Sequence, residues 1–535
     1  MMTLSRSIRF AGGLASVAVL LVALLTGAPA TAAAVGWHTG GAKILTPAGG
    51  EYAINAVNWY GFETRDKMIH GLWTKDYRFI VDQIRQHGYN TIRVPFSNAM
   101  WETSPIPSRS RVSACPSCQG KSSRDVLALI VNYAGDLGMH IILDNHRSSA
   151  GNSAEGNGLW YASGFPESRW ISDWVSVQEW VNGIPQSLGT VDTVVVDNVA
   201  ADGFPTVLGY DLRNEPHTPS RTPYLSGSTW GSGDGIDPAV NPNPNPFAPV
   251  CVATSTCHDW RLAAQRAGST ILGAAAARGW AYPLIFVEGN STYPSNGGTA
   301  GAGPYDGTWW GGQLRGVNGN GTNPGAPIVL NAGGNAAGLG PAVDNQLVYS
   351  AHDYGPDLFV QPWANPTTCY RSGCGGSSLA DVWYSNWAHL TAPAGVTPVW
   401  PGHATYPWGN TGHIGYTTAP MFVGEIGTGN AASDLTSTTR GSQGQWWTDV
   451  VNFVISSREK TAINDSGTAV QDLHWAYWSL NANDAYALLG SNFAGLANPT
   501  KQYSYNCFMQ SGPLAIPRGP GPNQCGSTGP LPAPF

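Results

Sequence analysis

Continuous apolar runs recur along the chain, and most are followed by a stretch in which apolar residues have helical spacing. Strands that are buried on both faces have such runs, as in parallel sheets covered by helices. The pattern predicts eight strands, within residues 52–63, 90–96, 140–146, 206–215, 283–290, 346–354, 419–427 and 472–481. It predicts helices after most of them, at residues 76–88, 124–138, 169–181, 259–278, 377–390 and 442–460.

Eight strand–helix units predict an α/β fold of the (β/α)8 TIM barrel type. The alternative is a doubly wound open sheet, which usually has fewer strands, and no GxGxxG motif follows the first predicted strand here. We therefore expect a single catalytic domain over residues 35–510 with long inserted loops. The insertions 218–257 and 291–345 both follow strands, so they should rise on the catalytic face of the barrel and shape substrate binding there.

The two ends of the chain differ in composition from the predicted barrel between them. Residues 1–34 combine two arginines, an apolar run at 11–25 and small residues at 28–34, which predicts a cleaved signal peptide and a secreted, extracellular protein. A membrane anchor is the alternative, although no later segment is apolar enough to cross a membrane. The Pro- and Gly-rich tail 511–535 is too short for a binding domain.

The composition disfavours one class of partner and favours another. The formal net charge is −7, and the few lysines are scattered without a basic stripe, which disfavours nucleic-acid binding. Trp, Tyr, Gly and Asn are abundant, which suits a surface that stacks on sugar rings and bonds their hydroxyls. Most of the 22 tryptophans are still expected to lie in the core.

Cysteines fall in four close pairs, Cys115/Cys118, Cys251/Cys257, Cys369/Cys374 and Cys507/Cys525. In an exported chain this usage predicts disulfide bonds, although pairing between neighbours is only one of many connectivities. The sequence CPSC at 115–118 would also suit half of a zinc site. No second CxxC and no histidine pair at ligand spacing accompanies it, so we expect no metal.

Polar residues stand at the carboxyl ends of most of the predicted strands. In a barrel these ends meet in one pocket, so the residues should lie together although they are far apart in sequence. The candidates are Arg93, His146, Asn214, Glu215, His352, Tyr354, Glu425 and Trp478.

Two carboxylates in an aromatic, amide-rich pocket suit glycoside hydrolysis, which needs no metal or organic cofactor. In a retaining mechanism one carboxyl is the acid/base and the other the nucleophile, about 5–5.5 Å apart. Arg93 and a hydrogen bond from Tyr354 should keep Glu425 ionised, while Glu215, without such a partner, should hold a proton near neutral pH. Candidate platforms for sugar rings are Trp59, Trp309 and Trp310.

The motifs resemble glycoside hydrolase family 5 of the clan A barrels, and within it the bacterial cellulases (endo-β-1,4-glucanases). The resemblance spans residues 36–510 and is carried by NTIRVPFS, IILDNHR, VLGYDLRNEPH, DWRLAAQRAG, LIFVEG, WWGGQL, LVYSAHDYGP, FVGEIGT and WAYWSLN. The combination of NEP, HDY and GEIGT is highly specific, whereas any one of these motifs alone is weak.

The resemblance implies that Glu215 is the acid/base, that Glu425 is the nucleophile and that the other six strand-end residues support them. Ile426 departs from the family, in which an aromatic residue is commoner after the nucleophile, and no cellulose-binding module is visible. We expect a monomer that acts on a β-glucan polysaccharide. The alternatives are the same chemistry on mannan, xyloglucan or mixed-linkage glucan, and a non-catalytic carbohydrate-binding barrel.

Overall fold

The computed structural model describes residues 35–217, 228, 230, 259–291, 309–314, 316–317, 327–331, 343, 345–359, 379–391, 418–459 and 472–505. The predicted signal peptide and the C-terminal tail lie outside these residues. So do six of the eight cysteines and most of the inserted loops 218–257 and 291–345.

A short antiparallel hairpin, β1 (His38–Gly40) and β2 (Lys43–Leu45), precedes a closed barrel of eight parallel strands. The barrel strands are β3 (Asn55–Asn58), β4 (Thr91–Ser97), β5 (His140–Arg147), β6 (Val207–Asp211), β7 (Leu284–Glu288), β8 (Leu347–Tyr354), β9 (Met421–Gly427) and β10 (His474–Tyr477). They pair in sequence order, and β10 closes the barrel against β3. Six lie within the predicted segments, and β4 and β5 each end one residue beyond theirs, so the predicted (β/α)8 barrel is confirmed.

Helices occupy most of the crossovers between successive strands. They are α1 (Tyr77–Gln86), α2 (Asn98–Thr103), α3 (Ser123–Asp136), α4 (Glu167–Val181), α5 (Trp260–Arg278), α6 (Leu379–Asn386), α7 (Ala432–Thr436), α8 (Gln443–Glu459) and α9 (Pro499–Tyr505). All six predicted helices are present. The short helices α2, α7 and α9 and the β1–β2 hairpin were not predicted.

Helix α5 shows how local sequence places a helix against the barrel. The Asp259 side chain accepts from the amide of Leu262 and caps the first turn, and Gly279 ends the helix with φ of 68°. Between these ends Gly268 faces the sheet, where an added Cβ would lie 3.1 Å from Ile285 Cγ2 of β7. The glycine therefore permits close helix–strand packing.

Two apolar cores support the carboxyl ends of the strands. The larger core lies between the strands and the helices. The smaller fills the barrel interior with residues such as Ile142, Phe286 and Phe422, and Ile44 of the hairpin packs into the same cluster. A packed interior leaves the carboxyl ends of the strands as the position for a pocket.

Cys115 and Cys118 are joined in a disulfide bond, so these two sulfurs are not available as zinc ligands. Among the described residues, no helix combines the length and the apolarity needed to cross a membrane.

Candidate active site

The strand ends bring all eight candidate residues to one face of the barrel, where they form a connected network. Arg93 lies on β4, His146 on β5 and Glu425 on β9. His352 and Tyr354 lie on β8. Asn214 and Glu215 follow β6, and Trp478 follows β10.

Glu425 is held by two donors from other strands, one on the adjacent β8 and one across the barrel on β4. Arg93 Nη1 donates to Glu425 Oε1 at 3.0 Å, and the Tyr354 hydroxyl donates to Oε2 at 2.7 Å. The residue is 4% exposed. Both carboxylate oxygens are therefore oriented by the protein, and the Arg93 charge lies beside Glu425, as predicted.

Glu215 is held differently, by a histidine and through its own backbone. Its Oε1 lies 3.0 Å from His352 Nδ1, and its side chain is 15% exposed. The backbone of Glu215 has a φ of 46°, in the left-handed region that a non-glycine residue rarely adopts. Its amide donates to Glu288 Oε2 at 2.7 Å.

The carboxylates of Glu215 and Glu425 face each other with His352 between them. One carboxylate oxygen of each residue and one ring nitrogen of His352 all lie within 4.8 Å of one another. His352 Nδ1 is 3.0 Å from Glu215 Oε1 and 3.6 Å from Glu425 Oε2. The three side chains therefore form one proton-binding unit.

Arg93 is the cationic centre beneath this unit. Its guanidinium pairs with four carboxylates, those of Asp144 (3.2 Å), Asp211 (2.9 Å), Glu288 (3.1 Å) and Glu425 (3.0 Å). Three of them, Asp144, Asp211 and Glu288, lie close enough together to ligate a metal ion. Because Arg93 already provides the positive charge among them, this cluster is an ion-pair network and does not suit a metal site.

The pKa directions are opposite to those expected from the sequence. Burial alone would raise the pKa of Glu215, but the hydrogen bond and charge of His352 outweigh it and lower that pKa. The pKa of Glu425 is raised, first by burial and then by the charge of Glu215. The charges of His352 and Arg93 act in the opposite direction and lower it, but they do not outweigh the increase. The premise that Glu215 lacks a charged partner is therefore wrong, because His352 lies beside it.

His352 causes this reversal. Burial would lower its pKa, but Glu288 and Glu425 raise it well above the usual value, and the hydrogen bond with Glu215 adds to the effect. The imidazole of His352 is therefore the charged partner of Glu215, a contact that the sequence pattern does not reveal.

Aromatic rings line one side of the cluster. The indole of Trp478 is partly exposed and stacks on Tyr60, with ring centroids 5.4 Å apart, and on His146 at 5.7 Å. His146 is in turn fixed by Asp144 Oδ2, 2.7 Å from its Nδ1. Asn214 Oδ1 accepts from Arg93 Nη2 at 3.2 Å, while the buried Asn214 Nδ2 has no hydrogen-bond partner within the described chain.

Of the three candidate sugar platforms, only Trp310 remains accessible. Trp59 is completely buried in the core and donates to His70 O, so its assignment as a platform is wrong. Trp309 is 5% exposed, and its indole N–H donates to the His352 carbonyl at 2.8 Å, which makes it a support for β8. Trp310 is partly exposed and stacks on His217 with centroids 3.8 Å apart.

Sequence reasoning missed Glu288, which ends β7 and is fully buried at the centre of the network. It also missed Asn58, whose Oδ1 accepts from Arg93 Nη1 at 2.9 Å. Glu288 carried the same signal as the residues that were found, a polar residue at the end of a buried apolar run. Asp144 on β5 and Asp211 on β6 belong to the same network, because both are ion-paired with Arg93.

Comparison with known proteins identifies relatives over most of the chain. The family model described as cellulase (glycosyl hydrolase family 5) matches residues 51–484. An endoglucanase of Paenibacillus polymyxa is 31% identical over 458 residues, which cover 84% of this chain and 80% of that protein.

Two further comparisons agree with this match. Endoglucanase G of Acetivibrio thermocellus is 25% identical over 523 residues, covering 89% of this chain and 73% of that protein. A solved cellotetraose complex of an endocellulase from Pyrococcus horikoshii has a TM-score of 0.59 and 24% identity, covering 89% of this chain and 98% of that one. The structural similarity at that identity concerns the fold.

Proposed function

We propose that this chain, which belongs to the cellulase family (glycosyl hydrolase family 5), is a secreted endo-β-1,4-glucanase that retains anomeric configuration, with Glu215 as acid/base and Glu425 as nucleophile. Membership of the family makes the chain a glycoside hydrolase. The observation that carries the finer proposal is the approach of the two carboxylates, which have oxygens within 4.8 Å of one another.

This separation favours the retaining mechanism over the inverting one. Retaining enzymes hold the two carboxyl groups about 5–5.5 Å apart, whereas inverting enzymes need about 6.5–9.5 Å to admit a water molecule. Nearest oxygens within 4.8 Å of one another fall below the inverting range and match the retaining one better. Glu425 can therefore attack the anomeric carbon directly.

The environments of the two carboxylates support different roles. Glu425 is oriented on both oxygens by Arg93 and Tyr354, which suits an attacking group that must not rotate. Glu215 is the more exposed of the two and is the one hydrogen-bonded to His352. An accessible carboxyl with a proton-bearing neighbour suits exchange of protons with substrate oxygens and water.

Glu215 becomes the acid when the proton moves across its hydrogen bond from His352 Nδ1 to Oε1, a distance of 3.0 Å. The imidazole and Glu215 are then both neutral, which removes the charge that favoured ionisation of Glu425 together with the one that opposed it, and leaves Arg93 and the Tyr354 hydroxyl to hold the ionised nucleophile. Two carboxylates this close share one proton more easily than they carry two charges, so protonation of Glu215 favours the ionised nucleophile.

The reaction then follows the double-displacement path. Glu425 forms a bond to the anomeric carbon as the glycosidic bond breaks, and Glu215 gives its proton to the departing oxygen. In the second step Glu215 takes a proton from water as that water attacks the same carbon, which releases Glu425. The free Asn214 Nδ2 is suited to donate to the sugar 2-hydroxyl, and Trp478 to form the floor below the ring.

The substrate and the location of the enzyme are inferred from two further observations. The relatives of this chain are named endoglucanases, and one related structure is a cellotetraose complex, which supports a β-1,4-glucan as substrate. Residues 1–34 have the sequence of a signal peptide, which supports export. Protein purified from culture medium should begin near residue 35, whereas an uncleaved N-terminus would contradict secretion by this route.

Rescue by azide tests the assignment of both roles in one design. Glu425→Ala should lose hydrolysis of an aryl β-cellobioside and regain turnover with azide, giving the α-glycosyl azide. Glu215→Ala should regain turnover with azide but give the β-glycosyl azide, because the nucleophile remains. Exchanged product anomers would reverse the assignment, and an inverted sugar released by the unmodified enzyme would exclude retention.

A polysaccharide panel with a reducing-end assay tests the substrate. Carboxymethylcellulose should be cleaved in its interior, with viscosity falling faster than reducing ends appear. Cleavage of mannan with carboxymethylcellulose untouched would overturn the cellulase assignment. Binding of glucans without hydrolysis would favour the non-catalytic barrel.

A further inference from the structure

Glu288 connects the two carboxylates of the proposed reaction without pointing into the cleft between them. It is fully buried at the end of β7, and its backbone carbonyl accepts from the indole N–H of Trp260 on α5 at 2.8 Å. A carboxylate buried this deeply needs a donor or a cation at each oxygen. Each of its two oxygens has such a partner.

One oxygen holds the backbone of Glu215. Glu288 Oε2 accepts from the Glu215 amide at 2.7 Å, just where that residue adopts φ of 46°. A non-glycine residue in this region is strained and persists only where its surroundings enforce it. A short hydrogen bond to a charged acceptor is a contact strong enough to do so.

The other oxygen faces two cationic donors. Glu288 Oε1 is 3.1 Å from Arg93 Nη2 and 3.1 Å from His352 Nε2, although the histidine contact lacks hydrogen-bond alignment. Arg93 orients Glu425, and His352 contacts the side chain of Glu215. Glu288 therefore anchors the backbone of one carboxylate residue and touches the partners of both.

Gly311 covers this anchor from the opposite side. A Cβ at Gly311 would lie 2.8 Å from Glu288 Oε2, but at ordinary contact distances of 3.6 Å from Glu215 Cγ and His352 Cγ. Any side chain at position 311 would displace the Glu288 carboxylate first. The observed position of that carboxylate therefore requires glycine at residue 311.

From these contacts we infer that Glu288 is a positioning residue for Glu215: it holds the strained Glu215 backbone so that the carboxyl reaches the departing oxygen. The inference rests on the proposed role of Glu215 as acid/base. It predicts a defect in proton donation to the leaving group, with substrate binding and nucleophilic attack largely preserved.

Glu288→Gln is the informative variant because it keeps the shape and offers only one acceptor oxygen. Two donors face Oε1 and only one faces Oε2, so the amide oxygen should turn towards Arg93 and His352. Its NH2 group would then face the Glu215 amide, two donors in opposition, and the anchor would be lost.

The experiment compares two cellobiosides of different leaving-group ability, with kcat and KM measured separately. A 2,4-dinitrophenyl group departs without a proton, whereas a 4-methylphenyl group needs one. For Glu288→Gln we expect kcat/KM, which reports the first step alone, to fall about 100-fold on the methylphenyl substrate, as for misplaced catalytic groups. On the dinitrophenyl substrate kcat/KM should fall less than tenfold, because bond cleavage there needs no proton, whereas kcat and KM should fall together, because the second step still needs Glu215 as base.

Asp211→Asn is the matched control. It also removes a buried carboxylate from Arg93, while Asp211 Oδ1 has no hydrogen-bond partner in the described chain. Any decrease in kcat/KM that Asp211→Asn causes should be equal for the two substrates. Gly311→Ala displaces the Glu288 oxygen without removing its charge. It should also lose more kcat/KM on the methylphenyl than on the dinitrophenyl substrate, and it serves as the test variant if Glu288→Gln does not fold.

The positioning role of Glu288 would be overturned if kcat/KM fell equally on both substrates in Glu288→Gln and Gly311→Ala. It would also be overturned if kcat/KM did not fall in either variant. A wild-type enzyme that cleaves these cellobiosides but no β-1,4-glucan would refute the proposed substrate and leave the Glu288 test valid. A wild type whose azide products exchange the two roles would instead refute the assignment of Glu215 itself.

Discussion

The hydroxyl of Tyr354 donates to Glu425 Oε2 at 2.7 Å, on the oxygen opposite the one that Arg93 holds. The pKa of Tyr354 is raised well above its usual value, by burial first and then by Glu425, so the phenol remains a donor at any pH at which the enzyme works. This hydrogen bond stabilises the ionised form of Glu425.

Tyr354→Phe should therefore raise the pKa of Glu425 and slow the reaction. A hydrogen bond to a charged group contributes about 1.5–3 kcal/mol, so kcat/KM should fall by about one to two orders of magnitude. The acidic limb of its pH profile should move to higher pH, because the carboxylate loses a donor that favours its charged form.

Tyr486→Phe is the control for that change. Its ring stacks on Tyr354 with centroids 5.9 Å apart, but its hydroxyl donates to Asp357 at 2.9 Å. It should leave the acidic limb in place. An unmoved limb in Tyr354→Phe, or an equal shift in Tyr486→Phe, would contradict a direct effect of the Tyr354 hydroxyl on Glu425.

His352→Gln tests the cation that lies between the two carboxylates. The variant retains a donor but loses the charge that lowers the pKa of Glu215 and of Glu425. Both pKa values should rise, so both limbs of the kcat/KM profile should move to higher pH. His389→Gln is the control, because His389 is also buried but its Nδ1 lies 3.0 Å from the Tyr384 carbonyl, and it should not move the profile. An unmoved profile in His352→Gln would show that His352 is neutral.

Most of the fold was predictable because a single physical rule produced it. A strand covered by helices on one side and by the barrel interior on the other has no polar face, so its sequence is a continuous apolar run, as in β7 and β9. The hairpin β1–β2 has strands of only three residues, too short to show alternation. It was missed for that reason.

The sequence predicted which residues form the site, but not the order of their pKa values. A strand-end position identifies which residues converge, and it identified Arg93, Glu215 and Glu425. It does not reveal that His352 Nδ1 lies 3.0 Å from Glu215, the contact that reverses the expected pKa order. Trp59 failed for a related reason, since an indole at a strand end reads the same whether it faces the pocket or the core.

Trp310→Ala and Trp309→Phe should affect different kinetic constants. Trp310 is partly exposed and braced by His217, so its loss should raise KM for a soluble glucan about fivefold, equivalent to about 1 kcal/mol of aromatic contact. Trp309 is buried and donates to the His352 carbonyl, so Trp309→Phe should lower kcat and thermal stability with KM unchanged. Steady-state kinetics on both variants tests these two expectations. An unchanged KM in Trp310→Ala would exclude Trp310 as a platform for a sugar ring.

Lys501 ties together two loops of the catalytic face. Its ammonium donates to the carbonyls of Thr428, Tyr486 and Ala487 at 2.9, 3.1 and 3.2 Å. Thr428 directly follows β9, the strand that bears Glu425. Burial lowers the pKa of Lys501 to about 7, against the opposing charge of Asp484.

Lys501→Met should destabilise the protein by an amount that depends on pH, because the lysine pKa differs between the folded and unfolded states. Between about pH 7 and its ordinary value of 10.5 the unfolded chain binds more protons at this lysine, so its contribution to stability increases with pH. The variant loses donors for three carbonyls and should melt at a lower temperature throughout, with the gap to wild type widening from pH 7 to pH 10. Lys43→Met, which removes an exposed ion pair with Glu51, should leave a flat gap over that range. A flat or narrowing gap for Lys501→Met would mean that this buried lysine stays charged in the folded protein.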